Sequence, residues 1–268
     1  MKRAVSARLV AKTAANTSLV FAVAVARPQG FASCDEEFVL TVDGEPAELQ
    51  EHADDHGGRL HTLQVADPAV VQLDYRATVL GEAAPETARP TELIKYVRPS
   101  RYCESDKLLP TSYAEFGSRR GTELIRSVRE WVAKELSYVS GSSRFTDGAV
   151  ETLLARRGVC RDYAHLVISL LRAKDVPARL AAVYAPGLQP MDFHAVAEAY
   201  VDGAWHMVDA TGMAPRGSML RIATGRDTSD TAFLSTVGGS LRLQEMRITA
   251  EAEGFPGEED PSLPVRLG

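Results

Sequence analysis

Apolar and polar residues alternate along the first third of the chain. The segments SARLVAKTA (6–14), TSLVFAVAVAR (17–27), EFVLTVDGEPAEL (37–49), GRLHTLQVA (58–66) and AVVQLDYRATV (69–79) are short and rich in Val, Leu and Thr. Asn, Asp, Gly and Pro lie between them, which is the pattern of strands joined by turns. Five such strands predict a sandwich-like all-β domain over residues 1–80. The run GEAAPETARP is small, acidic and proline-bearing, and opens a connector over 81–114.

The period then changes to that of a helix. Leu124, Ile125, Val128, Trp131, Val132 and Leu136 form one stripe over 121–139. A shorter helix is expected over 149–156, ended by Gly158. From Cys160 to Lys174 nearly every face is apolar, so this helix is expected to be buried. It must stop before Pro177. Strands are expected again at ARLAAVYA, HAVAEAYV and AWHMVDAT, with a late one at SLRLQEMRITAEAE. Residues 115–250 are therefore expected to form one core that includes the late strand. Residues 251–268, rich in Gly, Pro and acid, are expected to be a mobile tail. The fold class is α+β.

Composition narrows the function classes. The chain of 268 residues has 45% hydrophobic and 25% charged residues and a net charge of −6, with no basic cluster to suggest nucleic acid. Cys34, Cys103 and Cys160 are widely spaced and odd in number, which argues against a disulfide framework and for a reducing, cytoplasmic setting. No ligand motif suggests a metal, and no cofactor is expected. The stretch LVFAVAVA behind Met1-Lys2-Arg3 imitates a signal peptide, but Arg8, Lys12, Asn16 and Thr17 interrupt it, and strands are the better reading. No run reaches the ~20 apolar residues of a membrane span. Nothing here sets the oligomeric state.

Candidate chemistry begins at RRGVCRDYAHL. Neither Gly158 nor Val159 can cap the first turn of the helix at Cys160 through a side chain, so its N–H groups are left to another acceptor. The helix dipole stabilises a thiolate there, and the same N–H groups suit the oxyanion of a tetrahedral intermediate. Asp162 opposes the thiolate unless a cation pairs with it. Taken alone, Cys160 reads better as a small buried hydrophobe. In HAVAEAYVDGAWHMVDAT, Asp202-Gly203 marks a two-residue hairpin. Val201 then pairs with Ala204, and His194 and Asp209 fall on one sheet face as diagonal neighbours. His206 falls on the opposite face from Asp209. His165, one turn beyond Cys160, is a further imidazole but is fixed on the same helix.

The segments GVCRDYAHLVISLLRAKDVPAR, FHAVAEAYVDGAWHMVDAT and IATGRDTSD together resemble the bacterial transglutaminase-like superfamily, its cysteine proteases in particular. HADDHGGRLHTL, YRATV and PSRYCESDKL resemble the N-terminal domain and connector of such proteins. The resemblance covers nearly the whole chain. It implies a papain-like transglutaminase core behind the β domain, with Cys160 as nucleophile, His194 as base and acid, and Asp209 orienting the ring. It implies an acyl-enzyme formed from a peptide or protein carboxamide. Hydrolysis leads, amine acyl transfer is the alternative, and a non-catalytic binding or scaffold protein is the third reading. The backbone N–H of Cys160 is half of an oxyanion hole, and Tyr138 is the candidate second donor. Two positions depart from the family pattern. Val196 stands where His-Ala-Trp has its aromatic, and Thr228 where the Gly-Arg-Asp segment has one. Both are expected on the substrate approach.

Overall fold

Burial follows the alternation. In β1 (Lys2–Thr13) every second side chain from Arg3 to Thr13 is buried. The computed structural model describes residues 1–254 and 265–267. After β1 come β2 (Thr17–Phe21), β3 (Phe31–Val42), β4 (Glu45–Pro46), β5 (Gln50–Ala53), β6 (Arg59–Val65) and β7 (Ala69–Gly81). The helical part holds α1 (Pro90–Tyr96), α2 (Leu109–Phe116), α3 (Gly121–Glu135), α4 (Ala149–Ala155) and α5 (Cys160–Arg172). The short strands β8 (Ser137–Tyr138) and β9 (Arg157–Gly158) pair with each other in parallel. Then follow β10 (Ala178–Tyr184), β11 (His194–Val201), β12 (Ala204–Val208), β13 (Leu220–Gly225), α6 (Thr228–Thr231), β14 (Leu234–Thr236) and β15 (Leu241–Glu253).

Two sheets, ordered β15-β1-β7-β3-β4 and β14-β2-β6-β5, share one apolar core. Val5, Ala7, Leu9, Leu73 and Tyr75 of the first sheet meet Leu19, Phe21, Leu63 and Val65 of the second. The run 19–26 that imitates a leader lies in this interior: Leu19 and every residue from Phe21 to Ala26 are at most 1% exposed. Only its start is strand. From Ala22 onward single bonds replace a ladder: Ala22 N–H to the Phe233 carbonyl at 3.0 Å, Val25 N–H to the Tyr75 hydroxyl at 2.9 Å, Ala26 N–H to the Arg221 carbonyl at 2.8 Å.

The late strand does not join the expected catalytic core. β15 pairs antiparallel with β1 from Thr13–Leu241 to Lys2–Glu253, and β14 pairs with β2. β1 has an otherwise open edge there, and the alternating Ile248 and Ala250 fill the sandwich core below it. The segment from α1 to α6 is thus enclosed in sequence between strands of the sandwich. Of the expected tail, Glu251–Glu253 still belong to β15, and Val265 bridges Met207 of β12. Residues 255–264 and 268 lie outside the described residues.

The sheet of the enclosed segment runs β12-β11-β10-β13 and is antiparallel throughout. α5 lies against the face carrying Ala197, Ala199, Val201, Val208 and Ala210. The turn between β11 and β12 is the expected one: Asp202 at φ 52° and Gly203 at φ 79°, with Val201 opposite Ala204. β13 escaped the sequence reading because all its side chains are buried and no alternation marks it. No helix among the described residues is long and apolar enough to cross a membrane.

Candidate active site

Cys160 opens α5, which buries Tyr163 through Arg172 behind it. The thiol itself is only partly buried, so it is not a sealed core residue. The helix start is capped from inside: the Asp162 carboxylate folds back and accepts the Val159 N–H at 2.8 Å. That fold requires glycine at 158, where a Cβ would come within 2.6 Å of the Asp162 Cβ. Asp162 is fully buried and paired with Arg161 at 3.0 Å, so the opposing charge beside the thiol is neutralised. Arg161 also donates to the Ser143 hydroxyl at 2.8 Å, tying the loop after β8 to the nucleophile's helix.

His194 begins β11 and Asp209 directly follows β12, so the hairpin brings both to one end of the sheet. His194 Nε2 stands 3.7 Å from Asp209 Oδ2. The other carboxylate oxygen is held by Thr211, whose backbone N–H and hydroxyl donate at 2.8 and 2.7 Å. Thr211 therefore aims Oδ2 at the ring. Burial alone would lower the His194 pKa, but the Asp209 carboxylate and the Cys160 sulfur reverse this and push it up to about 10. Burial would likewise raise Asp209, and the His194 and Thr211 contacts hold it below its ordinary value instead. Both His194 nitrogens and Asp209 Oδ2 are buried without a partner at hydrogen-bond range among the described residues. Loose contacts of this kind tighten when substrate binds.

Tyr138 is brought to the same place. β8 runs beside β9, which sets Tyr138 opposite Gly158, and its ring tilts against Tyr163 at 6.0 Å. Burial, then the charge of Cys160, pushes its pKa up to about 12, so it stays a neutral hydroxyl. Two other expectations are corrected. Val196 is 1% exposed and packs with Ala181, Val183, Met207 and Met219, leaving no surface for a substrate. Thr228 is bound to His165 instead of facing the thiol: its hydroxyl and N–H lie 2.9 and 3.2 Å from His165 Nε2. His165 is fully buried, stacks on Tyr102 and is pushed down to about 4 by burial, so it serves as a neutral packing residue. His206 bonds the Val201 carbonyl at 3.1 Å. Sequence reasoning assigned no role to Thr211, although the Asp-x-Thr spacing is a local turn signal.

The profile of the transglutaminase-like superfamily matches residues 112–210. A crystal structure from Cytophaga hutchinsonii, of a protein named a "putative cysteine protease", is 31% identical and superposes with a TM-score of 0.87 over 97% of this chain and 94% of that one. The chain belongs to the transglutaminase-like superfamily. Two mycobacterial relatives are less similar. An uncharacterized Mycobacterium tuberculosis protein, Rv2569c, is 28% identical over 57% of this chain and 54% of its own length. An uncharacterized Mycobacterium leprae protein, ML0607, is 24% identical over 45% of this chain and 46% of its own. The chain thus spans about half the length of these mycobacterial relatives.

Proposed function

We propose that the protein is a thiol enzyme that forms an acyl-enzyme on Cys160 from a peptide or protein carboxamide and hydrolyses it. The observation that carries this is the buried His194 ring 3.7 Å from the Asp209 carboxylate, with Asp209 and Cys160 together pushing its pKa up to about 10. The thiolate attacks the carbonyl carbon, and the carbonyl π electrons move to oxygen. The Cys160 N–H and the Tyr138 hydroxyl meet that oxyanion. The tetrahedral carbon collapses, the C–N bond breaks, and the His194 imidazolium gives its proton to the departing amine. Water then adds to the thioester while the now neutral His194 takes its proton. The C–S bond breaks, the acid leaves, and the thiolate–imidazolium pair returns.

Hydrolysis leads because the Cytophaga relative carries the name of a protease. An amine in place of water gives acyl transfer by the same steps. The test is intact mass spectrometry of the protein with a peptide library. A transient adduct on Cys160 that decays to the free acid is expected. Decay only in the presence of added amine would make the protein a transferase. Absence of any adduct, with iodoacetamide at pH 6 labelling Cys160 no faster than Cys34, would sink the enzyme reading and favour a scaffold.

A further inference from the structure

The sheet that carries the site has β12 at one edge, and the chain itself covers part of that edge. The Met207 N–H donates to the Val265 carbonyl at 2.8 Å, and the two residues form an antiparallel bridge. Along residues 265–267 burial alternates as in a strand: Val265 is half-buried, Arg266 exposed and Leu267 buried. Leu267 is 8% exposed and belongs to the apolar cluster of Ala181, Val183, Val196, Met207 and Met219. β15 ends beside the same cluster. Its Ala252 pairs with Arg3 of β1, and the Arg3 guanidinium donates to the Met219 carbonyl at 3.4 Å.

The cluster adjoins the His194–Asp209 pair. Val196 lies two residues after His194 and Met207 two before Asp209, so each apolar side chain shares a strand face with its polar neighbour. The ladder between β11 and β12 ends at Ala197–Val208, short of both His194 and Asp209. Strand pairing therefore does not set the 3.7 Å between the ring and the carboxylate. Thr211 fixes one carboxylate oxygen, and the packing of Val196 and Met207 fixes the two backbones. A shorter side chain at 267 leaves a space that the unbranched Met207 and Met219 side chains move into, and Asp209 moves with Met207. We propose that Leu267 is a positioning residue: by filling the space against Val196 and Met207, it holds Asp209 at its distance from His194. This rests on the acyl chemistry proposed above, and the test keeps the two apart.

The His194 ring is titrated by NMR in the full chain, with His194→Ala to assign its signal. Turnover on a peptide from the library and the urea midpoint are measured beside it, for wild type, Leu267→Met, Leu267→Val and Leu267→Ala. Burial acts against the His194 charge, and the Asp209 carboxylate restores it. Leu267→Ala should therefore move the ring's titration to lower pH. It should also lower kcat about tenfold and leave KM within about twofold, since orientation is lost and substrate binding is not. Leu267→Val should fall between. Leu267→Met keeps the volume and should match wild type. A lowered urea midpoint with an unchanged His194 titration in Leu267→Ala overturns the proposal, because the segment is then packing and nothing more. An equal titration shift in Leu267→Met overturns it too. If Leu267→Ala does not fold, Leu267→Val decides by the same titration. A wild type that turns over no peptide sinks the thiol-enzyme reading instead, and the titrations still decide whether Leu267 positions the pair.

Discussion

On the face of β11 that carries His194 and Glu198, two ionic groups lie four residues apart. Glu198 is filled on both oxygens: Arg179 Nε donates at 2.8 Å, and Arg221 donates at 2.8 and 2.9 Å. Arg179 spends its remaining nitrogens on Glu86 at 3.0 and 2.7 Å and lies 3.9 Å over the Trp205 ring. His194 and Asp209 are as deeply buried, yet among the described residues both ring nitrogens and Asp209 Oδ2 lack partners at bonding distance. The first group ties the sandwich connector to the sheet that carries the site, and every bond it makes resists exchange. The second leaves bonding capacity free, as the proposed acyl chemistry requires. Complete satisfaction marks a buried charge group that holds shape, and incomplete satisfaction marks one that works.

The sharpest way to break this contrast is Cys160→Ala. Turnover should fall by about 10⁴-fold or more, since the nucleophile is deleted. The urea midpoint should move little, because the thiol is partly exposed. A large stability loss with turnover intact would return Cys160 to the role of a packing residue. Next comes Glu198→Ala, which leaves two buried guanidinium groups facing each other. Unfolding free energy should drop by about 3–5 kcal/mol, while the folded fraction keeps its activity. Arg179 and Arg221 hold the Glu198 carboxyl below its ordinary value of 4.5 although burial acts the other way. Its stabilisation is therefore present above about pH 4.5 and lost as pH falls through the depressed value. The Ala variant and wild type should converge in acid.

The hairpin was the most legible part of the site. Asp202-Gly203 set the register, and the register placed His194 and Asp209 together. Cys160 was legible as a helix start with no external cap, though the inward cap by Asp162 needed the fold to be seen. The Glu86–Arg179–Glu198–Arg221 group was invisible, because its members are local to nothing: Glu86 and Arg179 are 93 residues apart. Val196 was misread for a related reason. Sequence shows that it shares a face with His194, but not that Met207 and Met219 close over that face. β15 looked like a strand of the catalytic core because it follows the others, and only the open edge of β1 says otherwise.

Two smaller effects refine the comparison. Asp209→Asn should lower turnover by about 10²-fold, less than loss of the thiol, since it removes the ring's orienting charge and not the nucleophile. Thr211 would still hold the substituted side chain through its amide oxygen, so the urea midpoint should hold. An unchanged turnover would detach Asp209 from the mechanism. The last measurement is the alkylation rate of Cys160 against pH. His194→Ala should change the profile, because the imidazole partner is lost while the helix dipole still acts. Because the folded His194 pKa lies above the free value of 6.5, its stabilisation is full below about 6.5 and fades as pH rises towards about 10. The melting-point gap between wild type and His194→Ala should narrow over that window. Coincident alkylation profiles would break the Cys160–His194 pair.

The pairing of β1 with β15 sets a timetable for synthesis. The strand over residues 2–13 waits for a partner that begins at residue 241. On the ribosome, β10 to β13 and their covering helix emerge while the outer sheet still shows a bare edge. That edge is open to other nascent chains throughout this interval. Polar residues along it, Lys2, Ser6, Arg8 and Lys12, face outward in the finished sheet, where each is at least partly exposed. During elongation the same side chains keep the waiting strand soluble. A chain released before residue 241 would therefore leave the sandwich unfinished and its longest edge unprotected, and should be cleared by proteases instead of accumulating.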